Sequence, residues 1–164
     1  MSEESVQTPA ITAATASGVA FTVTVHGPVN SVAEAAVARG VEVRDVIKTI
    51  VVRRGEGDFV FVLVPGDRVI SWPKLRTLLG VNRLSLPDAA EAKNVTGYER
   101  GTITPFGSTN VWPVVADELI VGRTVALGGG AHGVSLRIAA DDVIATFNAQ
   151  VADVTDPEPE RKDS

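Results

Sequence analysis

One lysine lies inside an apolar, β-branched run, Asp45-Val46-Ile47-Lys48-Thr49-Ile50-Val51-Val52-Arg53. Such a run predicts a strand that is at least half-buried, because branched side chains pack well on a pleated sheet. Lysine is rarely buried without a partner for its ammonium. Lys48 therefore either runs its alkyl stem along the sheet to water or projects a cation into a cleft. In a cleft, that cation could hold a phosphate, a carboxylate or a developing oxyanion.

A second stretch, Thr96-Gly-Tyr-Glu-Arg-Gly-Thr-Ile-Thr-Pro-Phe-Gly107, has neither helical nor strand periodicity. Its three glycines and one proline predict a long, shaped loop. Glycine has no Cβ and lets backbone groups approach a ligand closely, while proline fixes the direction of the chain. We interpret the stretch as a binding loop, with a plain turn as the alternative.

The third stretch, Gly128-Gly-Gly-Ala-His-Gly133, contains the spacing G-x-G-x-x-G. A dinucleotide site needs a helix directly after the glycines, because the pyrophosphate rests on the N-terminus of that helix. Here an alternating strand follows, so the pattern favours a hairpin loop and disfavours an oxidoreductase. His132 in this loop is either simply exposed or free to reach a ligand.

Composition removes several kinds of chemistry. The chain has no cysteine, which excludes disulfides, thiolate catalysis and the common structural zinc sites. Its two histidines, His26 and His132, are far apart and lack a ligand-like spacing. We therefore expect no metal centre, and no Ser/His/Asp triad pattern is present.

The net charge of −5 is carried by the ends of the 164-residue chain, and residues 5–152 hold 13 acidic and 13 basic residues. An RNA contact would therefore depend on a few positioned cations. Residues 1–9 and 153–164 are polar, acidic tails that we expect to be frayed. The acidic start and the lack of a long apolar run predict a cytoplasmic protein with no membrane contact.

Periodicity and capping residues predict one compact domain over 10–152, of mixed α/β (α+β) class, with a central, mixed but largely antiparallel sheet surrounded by short helices. The two strands of the hairpin at Arg53–Asp58 are expected to be central and covered on both faces. Predicted strands are 20–25, 46–52, 59–64, 69–70, 114–116, 124–127 and 134–138. Predicted helices are 31–39, 73–79, 88–93, a turn at 117–120, and 143–150 capped by Asp141.

Lys48-Thr49 in an apolar strand, then Thr96-Gly97-Tyr98, Gly101-Thr-Ile-Thr-Pro-Phe-Gly107 and a glycine loop before the last strand resemble the YbaK / prolyl-tRNA synthetase-associated domain family. The likeness covers about residues 20–150. It includes His26-Gly27-Pro28-Val29 and Asp117-Glu118-Leu119. The ordered combination with G-x-x-x-P-F-G is more specific than the lysine strand alone.

The resemblance implies hydrolysis of the ester that joins a wrong amino acid to the 3′-terminal adenosine of a tRNA, without metal or cofactor. It implies that Lys48 positions the substrate and that Gly101 to Pro105 hold the aminoacyl end and the attacking water through backbone groups. The resemblance also implies that the ribose hydroxyl of the substrate takes part in the reaction. The residues implied as catalytic are Lys48 and Gly101, and those implied as substrate-binding are Ser31, Thr49, Ile103, Pro105, Phe106, Gly107, Gly130 and His132.

His132 and Asn30-Ser31 depart from the commonest family residues at positions that border the amino-acid pocket. The amino acid removed therefore stays open among alanine, cysteine, serine and threonine, and tRNA-Pro or a related tRNA is the expected carrier. An aminoacyl-tRNA synthetase is a possible partner. The alternative is an inactive module of the same fold that holds an aminoacyl-adenosine, a nucleotide or a protein.

Overall fold

The computed structural model describes residues 6–159. The helices are α1 (Pro9–Ser17), α2 (Val32–Arg39), α3 (Trp72–Leu79), α4 (Ala89–Thr96) and α5 (Ala140–Phe147). The strands are β1 (Phe21–Val25), β2 (Ile47–Gly55), β3 (Asp58–Pro65), β4 (Arg68–Ile70), β5 (Val114–Asp117), β6 (Thr124–Gly128), β7 (Val134–Ala139), β8 (Gln150–Ala152) and β9 (Thr155–Pro157). Between residues 6 and 159, no helix is long and apolar enough to cross a bilayer.

The strands form three sheets and not the one central sheet that the sequence predicts. The order β1-β7-β6 is antiparallel throughout, and β4 pairs with β9 antiparallel. The third sheet has the order β2-β3-β5-β8, in which β2 and β3 are antiparallel and the other two pairs are parallel. A bridge between Val46 and Ala126 joins this sheet to the first one. The predicted mixed α/β class is confirmed.

Strand β3 is buried on both faces because it separates two cores. Phe59, Phe61 and Leu63 belong to the larger core, while the alternate residues Val60 and Val62 belong to the smaller. This alternation explains the continuous apolar run, as predicted. Strand β2 differs from the prediction because it lies at the edge of its sheet and many of its residues are only half-buried.

Helices α2, α3 and α4 begin and end close to the predicted positions. Each starts at a side-chain cap and stops at a left-handed glycine, the caps being Ser31, Ser71 and Asp88 and the glycines Gly40, Gly80 and Gly97. The last helix was predicted too late in the chain, because Ala139 and not Asp141 is its N-cap. The Asp141 carboxylate accepts a hydrogen bond from the Gly122 N–H instead. Asn148, with φ +49°, ends the helix.

The ordered domain extends beyond both predicted boundaries. Thr8 caps α1 through its hydroxyl, and α1 packs into the core. At the other end, Val154 and Thr155 are fully buried, although the sequence around them is polar. The buried carboxylate of Asp117 explains this, since it accepts hydrogen bonds from the Val154 N–H and the Thr155 hydroxyl. The remaining parts of the predicted tails, 1–5 and 160–164, lie outside the described residues.

Candidate functional site

A cavity of about 350 Å³ lies along the edge of β2 at its N-terminal end, and we call it the lysine cavity. Four consecutive residues, Val46 to Thr49, contribute to its wall. Because neighbouring strand residues point to opposite faces, the cavity follows the edge of the strand and not one face. The rest of the wall comes from the segment around α2, the glycine loop and the end of β6, namely Val29, Ser31, Val32, Ala35, Arg39, Gly101, Ile103 and Gly128.

Lys48 lines this cavity, but its ammonium is occupied in the structure. The Nζ atom donates a hydrogen bond to the carbonyl oxygen of Arg68, the first residue of β4. Burial lowers the pKa of Lys48, and Glu158 and Asp67 partly oppose that shift. To meet a ligand in the cavity, the flexible lysine side chain would exchange the Arg68 carbonyl for the ligand.

The glycine loop, residues 97–107, lines the cavity with Gly101 and Ile103. Gly101 has φ +89°, a left-handed conformation that glycine adopts without strain. Within residues 6–159, the N–H groups of Gly101 and Ile103 donate to no protein acceptor, whereas the intervening Thr102 N–H donates to the Glu99 carbonyl. Gly128 permits the close approach of the loop to β6, since a Cβ there would lie 3.1 Å from the Ile103 carbonyl oxygen.

The far half of the glycine loop is fixed to the core. The Tyr98 hydroxyl donates a hydrogen bond of 2.6 Å to the Phe106 carbonyl, and burial raises the pKa of Tyr98 to about 12. The hydroxyl is therefore protonated, and able to donate, at neutral pH. Gly107 packs so tightly that a Cβ would lie 2.4 Å from the carbonyl oxygen of Pro9 in α1. These contacts anchor the loop to the core.

The structure thus brings together only some of the residues predicted for the site. Lys48, Thr49, Gly101, Ser31 and Ile103 line the lysine cavity. The other four residues of the predicted pocket line neither this cavity nor the adjoining one, and they are Pro105, Phe106, Gly107 and Gly130. Phe106 is in the core with its ring 4.8 Å from that of Phe147. The contacts of Phe106 and Gly107 support the loop.

A second cavity, of about 490 Å³, adjoins the first and shares Val29, Arg39 and Gly101 with it. His132 lines this second cavity, next to Gly101. Its Nε2 lies 3.2 Å from a carboxylate oxygen of Glu99, and both side chains are exposed. The hydrogen bond from His132, together with Lys93, lowers the pKa of Glu99.

Two residues at these cavities were not singled out by the sequence prediction for the site. Arg39 has a buried Nε and His26 a buried Nε2, and neither atom has a hydrogen-bond partner among residues 6–159. The Thr49 hydroxyl oxygen is also buried and has no hydrogen-bond partner among these residues. Buried polar atoms without partners are rare in folded proteins, and a ligand in the cavities could supply the partners. Arg39 gave no signal because it sits in the last turn of an ordinary amphipathic helix.

Within the described chain, no group of three or more histidine, aspartate or glutamate side chains is arranged to hold a metal ion. The polar groups of the lysine cavity are instead backbone N–H donors, hydroxyls and cations. Such groups can position an ester, polarise its carbonyl and hold phosphate oxygens.

Comparison with known proteins agrees with this geometry. A family model described as the aminoacyl-tRNA editing domain matches residues 26–146. EbsC of Enterococcus faecalis, named as a candidate Cys-tRNA(Pro)/Cys-tRNA(Cys) deacylase, is 25% identical over 134 residues, which is 81% of this chain and 80% of EbsC. A proline–tRNA ligase of Heliobacterium modesticaldum is 33% identical over 121 residues, and the match covers 71% of this chain but 21% of the ligase.

The solved structures give the same result. One is described as a candidate trans-editing enzyme for prolyl tRNA synthetase, and it matches with a TM-score of 0.82, 26% identity and coverage of 93% of this chain and 99% of the other. A second, a hypothetical protein, matches with a TM-score of 0.83, 27% identity and coverage of 91% and 100%. The chain therefore belongs to the aminoacyl-tRNA editing domain family and is a hydrolase acting on aminoacyl-tRNA.

Proposed function

We propose that the protein removes a small amino acid, namely alanine, cysteine, serine or threonine, from a mischarged tRNA-Pro or a closely related tRNA. The observation that carries the proposal is that Gly101 and Ile103, whose N–H groups have no acceptor among residues 6–159, line one small cavity together with Lys48 and Thr49. The names of the relatives support the substrate, since EbsC is named for Cys-tRNA(Pro) and Cys-tRNA(Cys).

In the proposed reaction, the ester carbonyl of the aminoacyl group lies against the glycine loop. The N–H groups of Gly101 and Ile103 donate to the carbonyl oxygen and stabilise the negative charge that develops there. A water molecule forms the new C–O bond, the ester C–O bond breaks, and the ribose oxygen leaves with a proton. The neighbouring ribose hydroxyl assists the proton transfer, so the protein needs no nucleophile of its own.

Lys48 holds the substrate in this mechanism and does not act as the general base. An ordinary lysine has a pKa of about 10.4, so its ammonium remains largely charged at neutral pH. The burial that lowers the pKa of Lys48 is opposed by Glu158 and Asp67. We expect the ammonium to bind an oxygen of the terminal nucleotide.

The walls of the lysine cavity support a small amino acid. Apolar surface in this cavity comes from Val29, Val32, Ala35, Val46, Ile47 and Ile103. The cavity of about 350 Å³ must also take part of the terminal adenosine. A larger amino acid would then be rejected by steric exclusion.

Presentation of the tRNA by an aminoacyl-tRNA synthetase is part of the proposal. Since residues 5–152 are neutral overall, the protein has no broad basic surface to capture tRNA alone. The chain matches about a fifth to a quarter of two proline–tRNA ligases, which carry the similar segment within a longer protein.

The decisive experiment is a hydrolysis assay with a panel of mischarged tRNAs. We expect at least one ester of alanine, cysteine, serine or threonine to be lost with multiple turnovers and faster than in buffer. Stoichiometric binding without turnover would instead support the inactive binding module. Loss of correctly charged prolyl-tRNA at the same rate would contradict a proofreading role.

A further inference from the structure

A separate cavity, lined by cations, lies at the opposite end of β2 from the lysine cavity. It has a volume of about 560 Å³, and we call it the arginine cavity. Its wall contains four arginines from three separate parts of the chain, together with small polar residues, and consists of Arg53, Arg54, Gly55, Arg76, Asn82, Arg83, Leu84 and Ser85. This cavity shares no lining residue with the lysine cavity.

The fold holds these arginines in place. Arg53 and Ser85 exchange two backbone hydrogen bonds, of 2.7 and 3.0 Å, which fix the 82–85 loop against the end of β2. Arg76 is carried by the last turn of α3. The cluster is therefore a product of tertiary structure and not of a basic stretch in the sequence.

Most of the positive charge in this cavity is not neutralised. Arg54 forms a two-bond ion pair with Asp58, at 2.9 and 3.0 Å. In the part of the chain that the structure describes, Arg53, Arg76 and Arg83 form no salt bridge. The Nε of Arg53 is buried and has no hydrogen-bond partner there. A buried guanidinium donor next to two further arginines is suited to an anionic acceptor.

The chemistry of the cluster favours phosphate. A guanidinium group presents a planar fork of donors that matches phosphate oxygens, and several such forks can hold adjacent phosphates of a polyanion. Since residues 5–152 are neutral overall, three arginines without a salt bridge among residues 6–159 are a marked local concentration of charge.

The spacing of the two cavities along β2 favours RNA as the polyanion. Thr49, which lines the lysine cavity, and Arg53 lie on the same face of β2, and four steps of about 3.3 Å separate them by about 13 Å. Successive nucleotides of a stacked strand rise by about 3.4 Å, so this separation corresponds to about four nucleotides. We propose that the arginine cavity binds backbone phosphates of the RNA about four nucleotides from the 3′ end held in the lysine cavity. This inference rests on the proposed function, because it needs the 3′ end to occupy that cavity.

The test compares two double variants with the parent protein. Arg76→Gln with Arg83→Gln removes two charges from the arginine cavity, and both side chains are at least partly exposed, so the fold should survive. Arg44→Gln with Arg137→Gln removes two charges from exposed positions outside both cavities and is the matched control. Thermal unfolding checks that each variant folds.

Each protein is assayed on a mischarged tRNA and on the corresponding 3′-aminoacyl-adenosine. We expect the arginine-cavity variant to raise KM for the tRNA about tenfold or more and to reduce the slope of log binding against log salt by about two. Its rate on the aminoacyl-adenosine should equal that of the parent. An unchanged KM for the tRNA, or an equal loss on both substrates, would overturn the inference.

Binding of uncharged tRNA separates this inference from the proposed function. If the parent hydrolyses nothing, the proposed function fails, yet the arginine-cavity variant must still bind uncharged tRNA about tenfold more weakly. Binding of inorganic phosphate to the parent and to the variant is measured as well. If the variant loses phosphate binding while tRNA binding is unchanged, the cavity serves a small phosphate compound and the RNA assignment is wrong.

Discussion

The Lys48 end of β2 faces a cavity walled by glycine backbone and apolar side chains, whereas the Arg53 end faces a cavity lined by four arginines. At the first end the polar groups are rigid backbone donors, two hydroxyls and two cations. At the second end the polar groups are mainly guanidinium groups on long side chains. Rigid donors suit a developing charge that needs fixed geometry, whereas arginines suit phosphates whose exact position matters less.

This difference implies that substitutions at the two ends should have different kinetic effects. Changes at the lysine cavity should affect every substrate that has the ester, however short. Changes at the arginine cavity should affect only substrates that carry several nucleotides. The predictions below test that separation, beginning with the largest expected effect.

Lys48→Ala should lower kcat/KM about 100-fold on both the aminoacyl-adenosine and the full tRNA. The estimate follows from the loss of one hydrogen bond to a charged group, worth about 1.5–3 kcal/mol. Lys48→Arg keeps the charge and should retain more activity. Burial lowers the pKa of Lys48, so its ammonium loses its charge at a lower pH than that of an ordinary lysine. Activity should therefore fall on the alkaline side, and a Lys48→Ala variant as active as the parent would exclude this role.

Gly101→Ala should lower kcat/KM about tenfold on both substrates. At φ +89° an alanine is strained by about 1–2 kcal/mol, and relief of that strain would turn the Gly101 N–H away from the ester. Gly122→Ala is the matched control, since Gly122 has φ +79° and open space around its Cβ position. Equal activity of the two variants would argue against a role for the Gly101 backbone.

Tyr98→Phe should lower the free energy of unfolding by about 1–3 kcal/mol, because the buried Phe106 carbonyl loses its donor. The pKa of Tyr98 is raised to about 12, so the folded state favours the protonated hydroxyl. Its contribution to stability is complete below about pH 10, the ordinary tyrosine pKa, and is lost as the pH rises through about 12. Tyr98 is the only tyrosine, so ultraviolet absorbance reports its ionisation directly. An ordinary titration near pH 10 would contradict the assignment.

Glu99→Gln should change kcat/KM by less than about threefold, because exposed ion pairs contribute little. The hydrogen bond from His132 lowers the pKa of Glu99, so the carboxylate is charged at neutral pH and its effect should disappear as the pH falls through that lowered pKa. Pre-steady-state rates measured from neutral pH down to the acid limit of the folded protein would follow it. A change above tenfold at neutral pH would place His132 and Glu99 in the chemistry itself.

Much of the local structure could be predicted from the sequence because short-range chemistry determines it. The caps at Ser31, Ser71 and Asp88 and the β2–β3 hairpin follow from patterns within a few residues. Helix α1 was missed because its residues are small and mostly lack amphipathic spacing, although Thr8-Pro9 is a regular cap-and-start pair. Strand β9 was missed because its burial depends on Asp117, 38 residues away from Thr155.

The residues predicted for the site that line one cavity are those that stand out in their local sequence. Lys48 and Gly101 are distinctive in their local context, and both line the lysine cavity. Phe106 and Gly107 belong to the same motif, but only the structure shows that they face the core. The arginine cavity escaped prediction because Arg53, Arg76 and Arg83 are brought together only by the packing of the 82–85 loop on β2.

The most direct test of the account is to find where the ester binds. A non-hydrolysable amide analogue of 3′-aminoacyl-adenosine can be titrated into ¹⁵N-labelled protein while backbone N–H signals are followed by nuclear magnetic resonance. We predict the largest shifts at Gly101, Ile103 and Thr49, with none at Gly55 or Ser85. Shifts centred on Gly55 and Ser85, or no shifts at Gly101 and Ile103 at saturation, would contradict the assignment of the lysine cavity as the site of hydrolysis.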